Sequence, residues 1–278
     1  MSRALNANQN NKKVTQMNSQ PIGIFDSGIG GLSILKEISY LLPNENLIYI
    51  GDTAFLPYGT KSKELIEDRA HKICNHLVSK NCKAVVVACN TATSAAIHKL
   101  RTSFSVPIIG IEPAVKPATQ KTQSRIIGIL ATAGTLDGDK FATLKKRFVN
   151  DITILHQPCT GLVEVIEAGD HDDKKLHELL KMYIPPLIER GADTLVLGCT
   201  HFPLIKPLIA TYAGPEVNIL DPSLPVANEL RRQLKTKNLL RDDKSGIYTF
   251  FQTGTNQQFE TVISRQLGLK QTSYSLSI

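Results

Sequence analysis

VVVACNTAT (85–93) and TLVLGCTHF (194–202) are the two stretches of this sequence that decide its fold class. Each is a short apolar run that stops at a cysteine and continues into hydrogen-bonding residues, and the two runs align with Cys89 opposite Cys199. Apolar runs that do not alternate with polar residues are typical of parallel strands covered on both faces of a sheet. The repeat therefore predicts two strands that each deliver a thiol to their own carboxyl end.

Apolar strands alternate with amphipathic helices along most of the remaining chain, a pattern that predicts an α/β fold with mostly parallel sheets flanked by helices. The strands are too many for one five-stranded sheet. We therefore expect two pseudo-symmetric domains, the first comprising 21–112 plus 225–278 and the second 113–224. Ligands of such sheets bind beyond the carboxyl ends of the strands. If the domains face each other, Cys89 and Cys199 point into one interdomain cleft, which is the predicted active site.

Composition limits the classes of function. The chain has 278 residues, 42% of them hydrophobic, and a net charge of +7, of which Arg3, Lys12 and Lys13 contribute three charges. These three lie in residues 1–20, a polar stretch that we interpret as a disordered tail. The remaining charge favours small anionic ligands, but no basic run interleaved with aromatic residues predicts nucleic-acid binding. No run approaches the roughly 20 apolar residues that cross a membrane.

The cysteines indicate free thiols. Their number is five, which is odd, and no secretory signal precedes them, so we expect a reducing cytoplasm. No C-x-x-C pair suggests a redox dithiol or a zinc ribbon, and Cys199 with His201 lacks further metal ligands. A single buried cysteine often only fills a core, which is our interpretation of Cys74. Cys89 and Cys199 instead precede predicted helix N-termini, which lower the pKa of a thiol.

Two glycine-containing loops are further candidates. FDSGIGG (25–31) has Ser33 where the dinucleotide fingerprint requires its third glycine, so a turn with Asp26 as a helix cap is favoured over a phosphate site. GDTAFLPYGTKS (51–62) contains a Pro-Tyr-Gly turn whose backbone N–H groups suit a ligand carboxylate.

Two further side chains are candidates for proton transfer. His201, two residues after Cys199, is either a structural polar residue or a proton carrier for that thiol. Glu164 is either a solvated helix residue or a supporting acid.

Read in order, FDSGIGG, GDTAFLPYG, ACNTATSAA, GLVE and GCTHFPL resemble the motifs of the bacterial glutamate racemases, within the cofactor-independent aspartate/glutamate racemase superfamily. The resemblance covers the chain from about residue 21 to its C-terminal region. It implies an isomerase that interconverts L- and D-glutamate without pyridoxal phosphate or metal and supplies D-glutamate for peptidoglycan synthesis. Cys89 and Cys199 match the catalytic thiols, assisted by Asp26 and by His201 respectively, with Glu164 supporting the second.

The same resemblance implies a set of substrate contacts. These are Asp26, Ser27, Pro57, Tyr58, Gly59, Asn90, Thr91, Thr132, Thr200 and His201.

Several alternatives stay open at this point. In an aspartate racemase we expect CNTAH and GCTE, so Thr93 and His201 favour glutamate, and a decarboxylase relative needs only one of the two cysteines. An amino-acid binding module that closes two lobes on its ligand needs no reactive thiol. A thiol-redox protein is disfavoured because C-x-x-C is absent. A homodimer is compatible with the sequence, which does not indicate the face that pairs.

Overall fold

The computed structural model describes residues 18–138, 141–143, 152–169, 173–242 and 245–278. Strands and helices alternate along these ranges. The strands are β1 (Ile22–Asp26), β2 (Leu47–Gly51), β3 (Ala84–Val87), β4 (Ile108–Gly110), β5 (Ile126–Ala131), β6 (Thr153–Pro158), β7 (Thr194–Gly198), β8 (Asn218–Leu220), β9 (Tyr248–Gln252) and β10 (Ser273–Ser275). The α-helices are α1 (Leu32–Leu41), α2 (Lys63–Ser79), α3 (Asn90–Ser103), α4 (Val115–Lys121), α5 (Ala133–Leu136), α6 (Leu162–Ala168), α7 (Lys174–Tyr183), α8 (Pro185–Glu189), α9 (Lys206–Ala213), α10 (Ser223–Thr236) and α11 (Phe259–Leu267), and 3-10 helices span Thr53–Phe55, Tyr58–Thr60 and Phe202–Ile205.

Within the described ranges the strands form two sheets whose neighbouring strands are all parallel. The larger has the order β10-β9-β2-β1-β3-β4 and the smaller β6-β5-β7-β8. The segment β2-β1-β3-β4 repeats the order of the smaller sheet, so β1 is equivalent to β5 and β3 to β7. We call the larger sheet with its helices the first lobe and the smaller sheet with its helices the second lobe. The predicted α/β class with two related parallel-sheet halves is confirmed.

Both faces of the central strands β1, β3, β5 and β7 are buried, which explains why these strands are continuously apolar. In the first lobe, Ile24 packs into the cluster under α1, α10 and α11, whereas its neighbour Phe25 packs under α2 and α3. In the second lobe, Leu195 faces α6 to α9 and Val196 faces α4. Successive strand residues point to opposite faces, so each face needs its own apolar set. No helix in the described ranges combines the length and apolar content needed to cross a bilayer.

The strand order creates one crevice at the carboxyl edge of each sheet. From β1 the chain continues to β2 on one side, while β3 lies on the other, and such reversal points are where parallel α/β sheets bind ligands. Asp26 ends β1 and Cys89 follows β3, so both lie at the crevice of the first lobe. Thr132 follows β5 and Cys199 follows β7, which places them at the equivalent crevice of the second lobe.

The predicted disordered tail, residues 1–20, needs a correction at its end. Residues 1–17 lie outside the described ranges, but the Asn18 carbonyl accepts a hydrogen bond from Lys83 Nζ at 2.6 Å. The same ammonium donates to the Leu239 carbonyl at 2.8 Å. The packed chain therefore begins three residues earlier than Pro21, because a buried lysine needs these carbonyls as partners.

A buried ion pair fastens this edge of the first lobe. Lys83 Nζ lies 2.5 Å from Glu45 Oε2, and both side chains are only 1% exposed. Glu45 Oε1 also accepts a hydrogen bond from the backbone N–H of Arg241, at 3.0 Å. The pair thus joins the loop before β2, the start of β3 and the segment after α10. Removing one partner of such a pair leaves an uncompensated charge in the interior.

We predict that Lys83→Met lowers the free energy of unfolding by about 3–5 kcal/mol, because Glu45 then remains buried without a counter-charge. The double variant Lys83→Met/Glu45→Gln should recover much of this loss. The matched control is Lys72→Met, which breaks the exposed pair with Asp68, both side chains being 54% exposed. Denaturant unfolding followed by circular dichroism measures the effect, and equal midpoints for Lys83→Met and Lys72→Met would contradict the account.

Candidate active site

Cys89 is held at the end of β3 by its own helix. It is the N-cap of α3, and its Sγ accepts a hydrogen bond from the Ala92 N–H at 3.4 Å. The thiol also lies 3.9 Å from the hydroxyl of Ser27, to which it donates. Ser27, which follows β1, and Cys89, which follows β3, are therefore in contact at the crevice of the first lobe.

The predicted lowering of the Cys89 pKa is wrong. Burial raises the pKa of this thiol to about 12, and the charge of Asp26 raises it further, so these effects outweigh the helix N–H groups. Burial raises the pKa of Cys74 and of Cys82 to about 12 as well. A raised pKa therefore does not distinguish a catalytic thiol here. What distinguishes Cys89 is its position at the crevice, close enough to Cys199 for the two thiols to interact electrostatically.

Cys199 lies in a different local setting from Cys89. After β7 the chain makes a turn, and a 3-10 helix with His201 as its N-cap follows, so the thiol is not at the start of an α-helix as predicted. Its partner is instead an imidazole, since Cys199 Sγ lies 3.6 Å from His201 Nδ1. On the other side of the ring, His201 Nε2 lies 2.5 Å from Glu167 Oε1. The order carboxylate, imidazole, thiol is that of a proton-transfer relay.

The environment of His201 favours its protonated form. Burial by itself lowers the pKa of this histidine, but the hydrogen bonds to Cys199 and Glu167 outweigh burial, and the pKa lies well above its usual range. The carboxylate at Nε2 fixes the hydrogen on that nitrogen, which leaves Nδ1 to exchange a proton with the thiol. The raised pKa favours transfer of the Cys199 proton to a neutral His201, which yields an imidazolium beside a thiolate.

The acid that supports His201 is Glu167, not Glu164 as predicted. Glu164 is exposed, whereas Glu167 is buried and contacts the imidazole. The reason is helical geometry: Glu167 follows Val163 by four residues and lies on the buried face of α6, while Glu164 points away from it. The sequence carried this signal, because the apolar stripe of GLVEVIEAG includes position 167 and excludes position 164.

Glu167 and His201 of the second lobe pack against the glycine turn that follows β1. A Cβ on Gly28 would lie 1.9 Å from Glu167 Oε1, and a Cβ on Gly30 would lie 2.6 Å from His201 Nδ1. The Ile29 N–H donates to Glu167 Oε1 at 2.8 Å. The absence of side chains in this turn therefore allows the relay to approach the first lobe.

Asp26 joins the two lobes at the same place. Its Oδ1 accepts a hydrogen bond from the Thr200 hydroxyl at 3.0 Å, and its Oδ2 accepts one from the Gly28 N–H at 3.1 Å. The predicted helix-capping role of Asp26 is wrong, because the N-cap of α1 is Gly31 and no side chain caps this helix. The carboxylate is instead fully buried between the crevices. Asp26, Ser27, Cys89, Cys199, Thr200 and His201 are thus brought together.

Three threonines make a second contact between the lobes. The hydroxyl of Thr91, on α3, lies 2.9 Å from that of Thr132 and 3.2 Å from that of Thr135. Gly59 packs against Thr132, since a Cβ there would come within 2.9 Å of the threonine Cβ. A cavity of about 420 Å³ opens beside this cluster. Its lining includes Gly59, Lys61, Lys63, Thr91, Gly134 and Asp137. Thr135 hydrogen-bonds to two of the predicted contacts, Thr91 and Thr132.

The predicted Pro57-Tyr58-Gly59 turn is anchored from behind. The Tyr58 hydroxyl donates to Asp52 Oδ2 at 2.5 Å, and Arg69 donates to both carboxylate oxygens of Asp52. Burial and the nearby Asp52 raise the pKa of Tyr58 well above its usual range. The phenol is therefore a structural anchor, and the turn can offer a ligand only its backbone.

Asn90 is the predicted contact with unused hydrogen-bonding capacity. Its side chain is buried, and neither its Oδ1 nor its Nδ2 has a partner in the described part of the chain. Buried amides are rarely left unpaired, so this group is available to a ligand.

A metal site at Cys199 and His201 does not fit this arrangement. Both ring nitrogens of His201 already contact Cys199 and Glu167. The described ranges contain no group of three or more His, Cys, Asp and Glu side chains placed to hold a metal ion.

Comparison with known proteins agrees with this geometry. The family model described as Asp/Glu/Hydantoin racemase matches residues 22–229. The glutamate racemase of Ectopseudomonas mendocina is 46% identical over 249 residues, 89% of this chain and 95% of the relative. A glutamate racemase isoform of Bacillus anthracis superposes with a TM-score of 0.85 at 33% identity, covering 93% of this chain and 98% of that structure.

A third comparison concerns a liganded structure. The glutamate racemase of Francisella tularensis, solved in complex with D-glutamate, superposes with a TM-score of 0.82 at 31% identity and covers 94% of this chain and 98% of that one. The family model covers most of the sequence, including both cysteine strands. The chain therefore belongs to the Asp/Glu/hydantoin racemase family, and it is an amino-acid racemase.

Proposed function

We propose that this enzyme interconverts L-glutamate and D-glutamate by moving protons between the α-carbon and two thiols, Cys89 and Cys199. The observation that carries the proposal is the equivalence of the two crevices. Each lobe has one cysteine directly after the third strand of its repeated unit, and the lobes meet at these edges. Inversion needs one group to remove the α-proton and another to return a proton on the opposite face. Two thiols on opposite walls of a cleft meet this requirement.

Each thiol has its own proton acceptor in the proposed mechanism. His201 accepts the proton of Cys199, and the relay through Glu167 stabilises the resulting imidazolium. For Cys89 we assign this role to Asp26, the buried carboxylate at the end of the neighbouring strand β1. The ammonium group of the bound substrate favours a thiolate beside it, since an opposite charge stabilises the charged form. One thiol must be ionised while the other keeps its proton, and the roles exchange with the direction of reaction.

The α-carbon of an amino acid is a weak acid, so the site must stabilise the developing negative charge. The unpaired Asn90 amide and the backbone N–H groups of the Tyr58–Gly59 turn are the donors that we assign to substrate carboxylates. Contact between the lobes at Asp26–Thr200 and at Thr91–Thr132 closes the cleft on both sides. Closure excludes water, which strengthens electrostatic interactions inside.

Three observations support glutamate as the substrate. Lys61 and Lys63 line the cavity beside the threonine cluster and favour a dicarboxylate. The curated relative from Ectopseudomonas mendocina is a glutamate racemase, and the Francisella tularensis structure is a D-glutamate complex. We further propose that the D-glutamate serves peptidoglycan synthesis in the cytoplasm, where reducing conditions keep thiols free.

We predict that the purified protein racemises D-glutamate and that its kcat/KM for glutamate exceeds that for aspartate by about a hundredfold or more. A missing methylene costs roughly 1–3 kcal/mol of packing, and an unpaired buried polar group costs more. Loss of circular dichroism from D-glutamate and D-aspartate, incubated separately, measures both rates. Comparable rates would assign the protein to another branch of its superfamily.

We predict that Cys89→Ser and Cys199→Ser each nearly abolish racemisation, because little alkoxide exists at neutral pH. Elimination of HCl from a β-chloro analogue of glutamate needs a single base to remove the α-proton as chloride leaves. By family resemblance Cys199 takes the L-enantiomer's proton, so Cys89→Ser should retain elimination from the L-analogue and Cys199→Ser from the D-analogue. Cys74→Ser is the matched control, since this thiol lies on the buried face of α2, within the core. Racemisation by both active-site variants at the wild-type rate would refute the two-thiol mechanism.

A further inference from the structure

A loop of the first lobe reaches the relay of the second. Asn256, between β9 and α11, donates a hydrogen bond from its Nδ2 to Glu167 Oε2. Glu167 Oε1 accepts hydrogen bonds from the Ile29 N–H and from His201. Both carboxylate oxygens are therefore engaged, and two of the three donors belong to the first lobe. Only His201 belongs to the same lobe as Glu167.

The orientation of the Asn256 amide is fixed by its own turn. Its Oδ1 accepts a hydrogen bond from the Gln258 N–H at 2.8 Å, so the NH₂ group must face Glu167. The Asn256 N–H donates to Gln252 Oε1 at 2.8 Å, and Gln252 Nε2 donates to the Ser273 hydroxyl at 2.9 Å. A chain of hydrogen bonds thus leads from the edge strand β10 to the carboxylate.

The contact has a mechanical consequence for Cys199. A carboxylate held at one oxygen only can rotate about its Cβ–Cγ and Cγ–Cδ bonds, and each rotation moves the other oxygen away from the imidazole. Asn256 holds the second oxygen and thereby keeps Oε1 on His201 Nε2. Because Asn256 and Ile29 lie on the first lobe, the relay is completed only when the lobes are in contact.

We propose that Asn256 is a positioning residue for the Cys199 half of the reaction, acting through Glu167 and His201. This inference rests on the proposed function, since it assumes that Cys199 exchanges a proton with the substrate. Asn256 touches neither thiol, and the Cys89 side of the cleft has Asp26 and Ser27 instead. Loss of its Nδ2 donor should therefore raise the barrier of one proton transfer and leave the other unchanged.

The expected signature is an opposite change in two isotope effects. The equilibrium constant of racemisation is one by symmetry, so kcat/KM must fall equally in both directions. If proton transfer at Cys199 becomes slower, breaking the bond between the α-carbon and its hydrogen limits the rate of the L-glutamate reaction more strongly. In the reaction of D-glutamate, the slow transfer at Cys199 comes after that bond has already been broken. The primary α-deuterium isotope effect on kcat/KM should rise for L-glutamate and fall for D-glutamate.

The discriminating variant is Asn256→Asp, assayed at mildly alkaline pH. It keeps the Oδ1 acceptor for the Gln258 N–H, and hence the turn, but replaces the donor to Glu167 by a like charge. The matched control is Gln257→Glu, which adds the same charge at the neighbouring, exposed position. Asn256 and Gln257 line one surface cavity. Asn256→Ala, which removes the donor without adding charge, serves if the aspartate variant does not fold.

We expect kcat/KM for glutamate to fall about 10- to 100-fold in Asn256→Asp, the scale of a lost hydrogen bond to a charged group. In Asn256→Asp the α-deuterium isotope effect on kcat/KM should rise for L-glutamate and fall for D-glutamate, while Gln257→Glu should keep the wild-type rate and isotope effects. Equal isotope effects with an unchanged rate, or a lower rate with isotope effects that do not separate, would overturn the inference. Absence of glutamate racemisation by the unmodified protein would instead refute the proposed function.

Discussion

The close approach of the second lobe to a side-chain-free turn of the first is the constraint on which the site depends. Glu167 and His201 occupy space that a Cβ on Gly28 or Gly30 would fill. At this turn the Ile29 N–H donates a hydrogen bond to Glu167, and the Asp26 carboxylate accepts one from Thr200, so both bonds cross the interface. The glycine turn, a form often associated with phosphate binding, here accommodates protein side chains. Asp26 and Cys89 of the first lobe consequently lie beside Thr200 and Cys199 of the second.

Equivalent strands carry unequal chemistry in this molecule. Cys89 caps an α-helix and contacts a serine hydroxyl, whereas Cys199 precedes a 3-10 turn and contacts an imidazole. Burial raises the pKa of Cys89 and so opposes its ionisation. On the Cys199 side, hydrogen bonds raise the pKa of His201, the residue that accepts the Cys199 proton in the proposed mechanism. The fold repeats the geometry, and the local sequences provide each thiol with its own partner.

The sequence predicted what depends on local pattern and missed what depends on contacts between distant segments. Continuous apolar runs predicted parallel sheets, and the matched cysteine strands predicted related halves, because both signals lie within a few residues. The resemblance of GLVE to the family motif predicts Glu164 as the supporting acid, whereas helical phase places Glu167 on the buried face of α6. The contact between Asn256 and Glu167 had no signal in either segment. Hydrogen bonds between segments this far apart in the chain follow only from the packed arrangement of the lobes.

The central claim is that one thiol removes the α-proton and the other returns a proton to the opposite face of the α-carbon. Incorporation of deuterium from heavy water tests this claim most directly. The unmodified enzyme is incubated in heavy water with L-glutamate or with D-glutamate, and both enantiomers are isolated at low conversion for mass analysis. The account predicts deuterium at the α-carbon of the product from either substrate, while the unconverted substrate stays largely protiated. Deuterium accumulating in the unconverted substrate as fast as product forms, or protium retained in the product, would contradict it.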